Sequence, residues 1–345
     1  MAYFRYLNKL EDLLGTFARD HRWLILINAD PDAMASAMAL KRVLSRKVQT
    51  AEIAKVNVLS RPDNLALAHY THIHMLDFDE DLPGSFDHFA LVDSQPDHHP
   101  AFKSIPFTVI VDHHPLPEHP ITGVPFVEIR PEYGATSTLM TELLYNLKIR
   151  PGKLLATALQ FGIKTDTGNF ERHFSDVDLR AFRYLARTAD QHLLLRIARS
   201  EYHESWLATF AKACTVLYAL GSSGRYAYVG EVDNPDILVN IADFFMRVYE
   251  IRWAAVCGRY NDTLVVIFRG DGISRNLGIF SRQAFGDLGS AGGHKTMARA
   301  EMPVQAAQDE DIELFIWKRL TKLVPSARRS GRTWPMDGAS KKTTD

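Results

Sequence analysis

The sequence predicts a two-domain α/β protein: an N-terminal domain built on a mainly parallel sheet flanked by helices, and a smaller C-terminal α/β domain. Three observations point there. Short apolar runs at residues 23–27, 89–92 and 107–111 are interspersed with stretches of helical periodicity. Each of those runs is followed closely by aspartate, as Asp30 and Asp32, Asp93, and Asp112. Beyond Arg225 the texture changes to new β-rich runs and a glycine-rich segment, and 345 residues suffice for two domains of ordinary size.

Taken in order, residues 4–19 read as a helix with Phe4, Leu7, Leu10, Leu13 and Leu14 on one face. Residues 23–27 are a buried strand, followed by the polar turn Asn28-Ala-Asp30-Pro-Asp32 and a helix over 33–46. Its alanines let that helix sit close against a sheet. A second strand is expected over 53–59. Residues 107–111 lead into Asp112-His113-His114, and Asp97-His98-His99 is a near copy. That copy follows Ser94-Gln95-Pro96, a turn, and so reads as loop. Helices are expected over 136–147 and 153–165, the second ending in Asp166-Thr-Gly168-Asn-Phe170. Helical patterning continues to about residue 210.

In the second half, strands are expected over 226–230, 253–257 and 263–268, with helices over 235–247 and 277–285. A glycine-rich loop over 286–294 precedes a strand over 297–302 and a closing helix over 309–323. The boundaries are 1–190 for the first domain, 191–218 for a helical linker, 219–325 for the second domain and 326–345 for a basic, disordered tail.

Composition sets the class. Hydrophobic residues make up 46% and charged residues 23%, as in globular proteins, and no apolar run approaches the length of a membrane span. The N-terminus is amphipathic rather than signal-like, so a cytoplasmic protein is expected. Cys214 and Cys257 have no zinc spacing and are expected to be buried thiols. A net charge of −1 gives no field for a long polyanion and favours a small anionic ligand in a local pocket.

Asp30, Asp32, Asp93, Asp112, His113, His114 and Asp166 all fall at strand or helix ends. Carboxyl ends converge in a parallel sheet, where ligands bind. Clustered carboxylates repel one another, and a divalent cation such as Mn²⁺, which accepts oxygen and imidazole donors, neutralises them. Gly292 and Gly293 let backbone approach a phosphate, His294 can donate to it, and Arg269 offers a fork for an anion.

The run of motifs resembles the DHH family of phosphoesterases with a C-terminal DHHA1 domain, the group of oligoribonuclease/pAp-phosphatase-like proteins and RecJ relatives. The matching stretches are Asp30-Pro-Asp32-Ala-Met-Ala-Ser36, Asp93-Ser-Gln, Asp112-His113-His114, Asp166-Thr-Gly-Asn-Phe and Gly292-Gly293-His294. The resemblance implies an active site in a cleft between the domains. It implies that Asp93 bridges two Mn²⁺ ions, that Asp32, His114 and Asp166 complete one site, and that Asp30 belongs to the other. Asp112 and His113 then orient ligands and contact phosphate. Arg269, Gly292, Gly293 and His294 bind the substrate's other end.

Three positions depart from the family's pattern. Leu26 stands where the family has a histidine ligand, Ala35 where it has glycine, and Arg299 where small residues follow Gly-Gly-His. One tight and one weaker Mn²⁺ site are therefore expected, with His98 and His99 the nearest imidazoles to the gap, although exposed loop is the favoured role for both. The expected activity is hydrolysis of a phosphoester or phosphodiester in a small nucleotide or short single-stranded oligonucleotide. A homodimer is left open. The alternative is a catalytically weakened nucleotide-binding or regulatory protein.

Overall fold

The computed structural model describes residue 4 and residues 9–200, 202–308 and 310–324. The chain divides into two compact units, residues 1–201 and 202–345.

The first unit holds a sheet of β1 (Arg22–Ile27), β2 (Thr50–Lys55), β3 (Leu76–Asp77), β4 (His88–Val92), β5 (Phe107–Asp112) and β6 (Phe126–Ile129). Their order is β3-β2-β1-β4-β5-β6, and every pairing is parallel. The order reverses between β1 and β4, which places a crevice beyond the carboxyl ends of those two strands. β1 is a continuous apolar run because both its faces are covered. Trp23, Ile25 and Ile27 join the large core, whereas Leu24 and Leu26 join a smaller cluster with Phe89, Phe102 and Phe107.

The helices of this unit are α1 (Leu10–Gly15), α2 (Pro31–Leu44), α3 (Pro62–Thr71), α4 (Thr136–Asn146), α5 (Lys153–Asp166), α6 (Asp176–Leu185) and α7 (Gln191–Ala198). α2 starts with Asp30 as its cap and Pro31 in its first turn, two strong start signals. It packs against α4 and α5. Gly162 makes the α2–α5 approach close, since a β-carbon there would sit 2.4 Å from Ser137 Oγ and 3.0 Å from Asp32 Oδ1.

Some elements differ from expectation. Only residues 10–15 of the first expected helix are helical, and residues 5–8 lie outside the described residues. The second strand begins and ends earlier, at Thr50–Lys55. α3 has little amphipathic pattern and β6 has only four residues, so neither carries a clear periodic signal. Of the segment expected to link the domains, residues 191–198 are α7, which packs on α3 and α5 in the first unit.

The second unit comprises α8 (Leu207–Thr215), β7 (Tyr218–Leu220), β8 (Gly224–Glu231), α9 (Asp236–Phe245), β9 (Trp253–Tyr260), β10 (Thr263–Gly270), α10 (Leu277–Phe285), β11 (Ser290–Gly293), β12 (Met297–Pro303) and α11 (Ile312–Lys322). The sheet runs β11-β12-β10-β9-β8-β7, with only β8 and β9 parallel. β10 shows its period of two: Leu264, Val266 and Phe268 pack with α10 and α11, and Val265 and Ile267 with α9.

Two expectations need correction here. The glycine-rich stretch is not all loop, because residues 290–293 form β11 paired with β12; small residues suit an edge strand with little to pack. Of the two free thiols Cys257 is buried, but Cys214 is exposed at the end of α8. Asp309 and the tail 326–345 lie outside the described residues.

Candidate metal centre

Asp32, buried in the first turn of α2, is held by the start of α4. The backbone N–H groups of Thr136 and Ser137 donate to its Oδ2 and Oδ1 at 2.6 and 2.7 Å. A helix N-terminus is a natural seat for a carboxylate. Thr136 also donates its hydroxyl to Asp93 Oδ1 at 2.7 Å, so one residue orients two acids. Asp93 follows β4 with φ of 58°, left-handed backbone that non-glycine residues seldom adopt, and it is buried. Asp166 is the last residue of α5, and the motif after it is a tight helix end with positive φ at Gly168, Asn169 and Phe170.

His113 completes this group. Its Nδ1 lies 3.2 Å from the carbonyl oxygen of Tyr133; a carbonyl only accepts, so Nδ1 carries the proton. Its buried Nε2 then faces the acids, 3.0 Å from Asp166 Oδ2 and 3.6 Å from Asp93 Oδ1, yet meets the geometry of a hydrogen bond with neither. Asp32, Asp93, His113 and Asp166 offer ligand atoms that all lie within 4.8 Å of one another. The resemblance implied His114 with these acids; the structure brings His113 to all three, and His114 forms an overlapping group with His113 and Asp93 at the same spacing. The Tyr133 carbonyl turns the first imidazole after β5 toward α5. Asp30 stands just outside the set as the cap of α2, accepting from Ala33 N–H at 2.9 Å.

His114 is held by a different partner. Its Nδ1 is 2.7 Å from Asp112 Oδ1, and Gln95 donates Nε2–H to Asp112 Oδ2 at 2.7 Å and to the carbonyl of Pro115 at 2.9 Å. Asp112 is fully buried and both its oxygens are occupied, so it orients His114. His98, not His99, comes to this side, forming a further group with Asp112 and His114. His99 accepts from Ala101 N–H and its ring packs near Phe102. Leu26 is fully buried in the apolar cluster with Phe102 and provides no donor.

The electrostatics show how acid-rich this place is. Burial, and next the charge of Asp166, pushes Asp30 up to about 6 and Asp32 up to about 7. Asp93 is raised well above the carboxylate range by burial and then by Asp32, Asp30 and Asp166. Burial opposes charge on His113, but Asp166 and Asp32 prevail and lift it to about 9. Asp112 is lowered despite its burial because His114 and Gln95 donate to it. Mutually repelling carboxylates around a ring nitrogen fit a divalent cation that takes oxygen and nitrogen ligands. When bound, such a cation would supply Lewis acidity toward an oxygen ligand or water. Thr136, Ser137 and Tyr133 hold the ligands in place. Gln95 and Asp112 fix the orientation of His114, which remains free to hold or pass a proton at Nε2.

In the second unit, Arg269 is not a free fork: its Nε donates to Asp243 Oδ1 at 2.7 Å. Arg275, which sequence reasoning missed, is placed differently. Its guanidinium lies 4.5 Å from the ring centre of Phe280 and 5.0 Å from that of Trp253, and its buried Nε has no partner among the described residues. Its signal was position, just before the cap of α10, whose first turn runs beside the glycine motif. There Leu277 and Gly278 donate to the carbonyls of Lys295 and His294. Gly292 and Gly293 differ in kind. Gly293 has φ of 143°, and a β-carbon there would lie 2.3 Å from Met297 O, so its glycine serves the turn. A β-carbon on Gly292 would meet nothing within 4 Å, so packing does not demand that glycine. His294 is exposed, and Arg299 pairs with Glu301.

Residues 23–163 match the family model of the DHH family, N-terminal domain. An uncharacterized protein of Methanocaldococcus jannaschii is 32% identical over 307 residues, 88% of this chain and 61% of that protein. The cyclic-di-AMP phosphodiesterase GdpP of Geobacillus thermodenitrificans is 30% identical over 203 residues, 56% of this chain and 29% of that protein. The chain thus spans about three fifths of the length of one curated relative and under a third of the other. A crystal structure of an exopolyphosphatase-related protein from Bacteroides fragilis has a TM-score of 0.65 at 14% identity, covering 92% of this chain and 96% of that one, which is a likeness of fold. The part of the chain that carries Asp30, Asp32, Asp93, Asp112, His113 and His114 thus matches the N-terminal domain of the DHH family.

Proposed function

We propose that this chain is a cation-dependent phosphoesterase that hydrolyses a phosphoester or phosphodiester bond in a small nucleotide or short single-stranded oligonucleotide. The observation that carries the reading is the convergence of Asp32, Asp93, His113 and Asp166, whose ligand atoms all lie within 4.8 Å of one another. Mn²⁺ suits that donor set, with water as the nucleophile. The phosphodiesterase GdpP among the relatives supports the bond type. A net charge of −1 supports short substrates over long polymers. The second unit is read as a DHHA1-type substrate-binding domain, with Arg275, His294 and the open backbone at Gly292 as its own candidates for an anion. No described helix is long and apolar enough to cross a membrane.

The test is a panel of pAp, dinucleotides, cyclic dinucleotides and short RNAs with Mn²⁺, run on wild type and Asp93→Asn. Turnover in the wild type and none in the folded variant is expected; comparable rates in both remove Asp93 from the centre. Arg275→Ala should chiefly raise KM, since a group that holds substrate and transition state equally leaves kcat intact. Leu26 favours a second reading, a nucleotide-binding protein with weakened catalysis, because an alkyl wall replaces a ligand. Tight nucleotide binding without turnover at saturating Mn²⁺ would select it.

A further inference from the structure

We propose that His98, on the loop after β4, is a neutral N–H donor that binds a phosphoryl oxygen beside His114. It rests on the phosphoesterase reading and assigns a role to a residue outside the metal ligands. Three observations support it.

The first is position. A ring nitrogen of His98 shares a 4.8 Å group with Asp112 and His114, and the two imidazoles meet edge to face at 5.2 Å. His98 is nevertheless exposed, so a ligand can reach it.

The second is the tautomer. The backbone N–H of Gln95 donates to His98 Nδ1 at 3.2 Å. An amide N–H only donates, so Nδ1 presents its lone pair and the neutral ring carries its proton on Nε2. A cation ligand needs an uncommitted ring lone pair, and His98 has none. It therefore does not refill the place of the ligand missing at Leu26. What it offers is a hydrogen-bond donor of fixed direction, suited to an anionic oxygen.

The third is anchorage. Phe102, four residues on, is fully buried in the cluster that contains Leu26, Leu24 and Phe107, and its N–H bonds the carbonyl of His99. The alkyl group that removes a cation ligand is thus part of the apolar seat that pins this loop.

The experiment uses the full chain loaded with Mn²⁺, inorganic phosphate and bis(4-nitrophenyl) phosphate as probes, and the variants His98→Ala and His98→Gln. In His98→Ala, calorimetry should find Mn²⁺ stoichiometry and affinity unchanged and phosphate affinity weaker by about tenfold, the effect of losing one hydrogen bond to a charged group. His98→Gln, which keeps an uncharged N–H, should recover part of that loss. Imidazole ¹⁵N shifts should show His98 protonated on Nε2. Loss of a Mn²⁺ ion in His98→Ala would make the residue a ligand and overturn the proposal, as would unchanged phosphate affinity. If wild type neither binds phosphate nor cleaves the diester, the phosphoesterase reading fails and this inference falls with it. If wild type does both and the variants match it, only this inference fails.

Discussion

Gly162 shows how much of the centre depends on a residue with no chemistry. The helix α5 delivers Asp166, and it can approach Asp32 only because position 162 has no side chain. Gly162→Ala should cost about 1–3 kcal/mol, as overpacking does, and should loosen Mn²⁺ by moving Asp166. Denaturant unfolding with a parallel calorimetric titration checks both; a wild-type midpoint would mean that α5 yields freely. Leu26→His asks the converse question. An imidazole among Leu24, Phe89 and Phe102 should cost about 1–3 kcal/mol in the metal-free protein. Mn²⁺ should restore that stability only if the ring reaches a cation, and melting with and without the ion decides it.

At the scale of elements, the start of α4 is the organising piece, since Thr136 and Ser137 hold Asp32 and Thr136 alone holds Asp93. Thr136→Val keeps the shape and the amides but removes the hydroxyl. Mn²⁺ affinity should fall about tenfold, the usual effect of losing a ligand's supporting hydrogen bond. An unchanged affinity would show that the hydroxyl is immaterial. This support was not legible in the sequence. Buried parallel strands announce themselves as apolar runs, so β1, β4 and β5 and the acids at their ends could be read directly. Thr136 and Gln95 carry no charge, and their partners lie 43 and 17 residues away. That His113 reaches the acids was equally hidden, because a carbonyl twenty residues downstream turns its ring. Arg269 looked like the free fork because a sequence does not show that Asp243 reaches it.

Across the molecule, the acid cluster sets how stability responds to pH. Asp30 and Asp32 have folded values near 6 and 7 against an ordinary 3.8, so the folded chain binds these protons more tightly than the unfolded chain. Their contribution is complete below the ordinary value and is lost as pH rises through 6 and 7. His113, raised to about 9, acts in the same direction at higher pH. The metal-free protein should therefore melt lower at about pH 8 than at about pH 5, with Mn²⁺ restoring most of the difference at the higher pH and little at the lower. A Mn²⁺ effect independent of pH would contradict the acid cluster as the site of binding.

The span between Asp32 and the amides that hold it also governs time. The two are separated by 104 and 105 residues of chain, so the cradle closes only after β1, β4, β5 and α4 have assembled. Contacts of such separation form late in folding, because a long loop must close before they return anything. A cation that recognises the finished cradle cannot speed the search for it. It should leave the refolding rate unchanged and slow unfolding, as interactions absent from the transition state do. Stopped-flow refolding and unfolding with Mn²⁺ or chelator would show this. In that case the ion acts as a latch on the native state, and removing it shortens the lifetime of the fold without changing how the fold is reached.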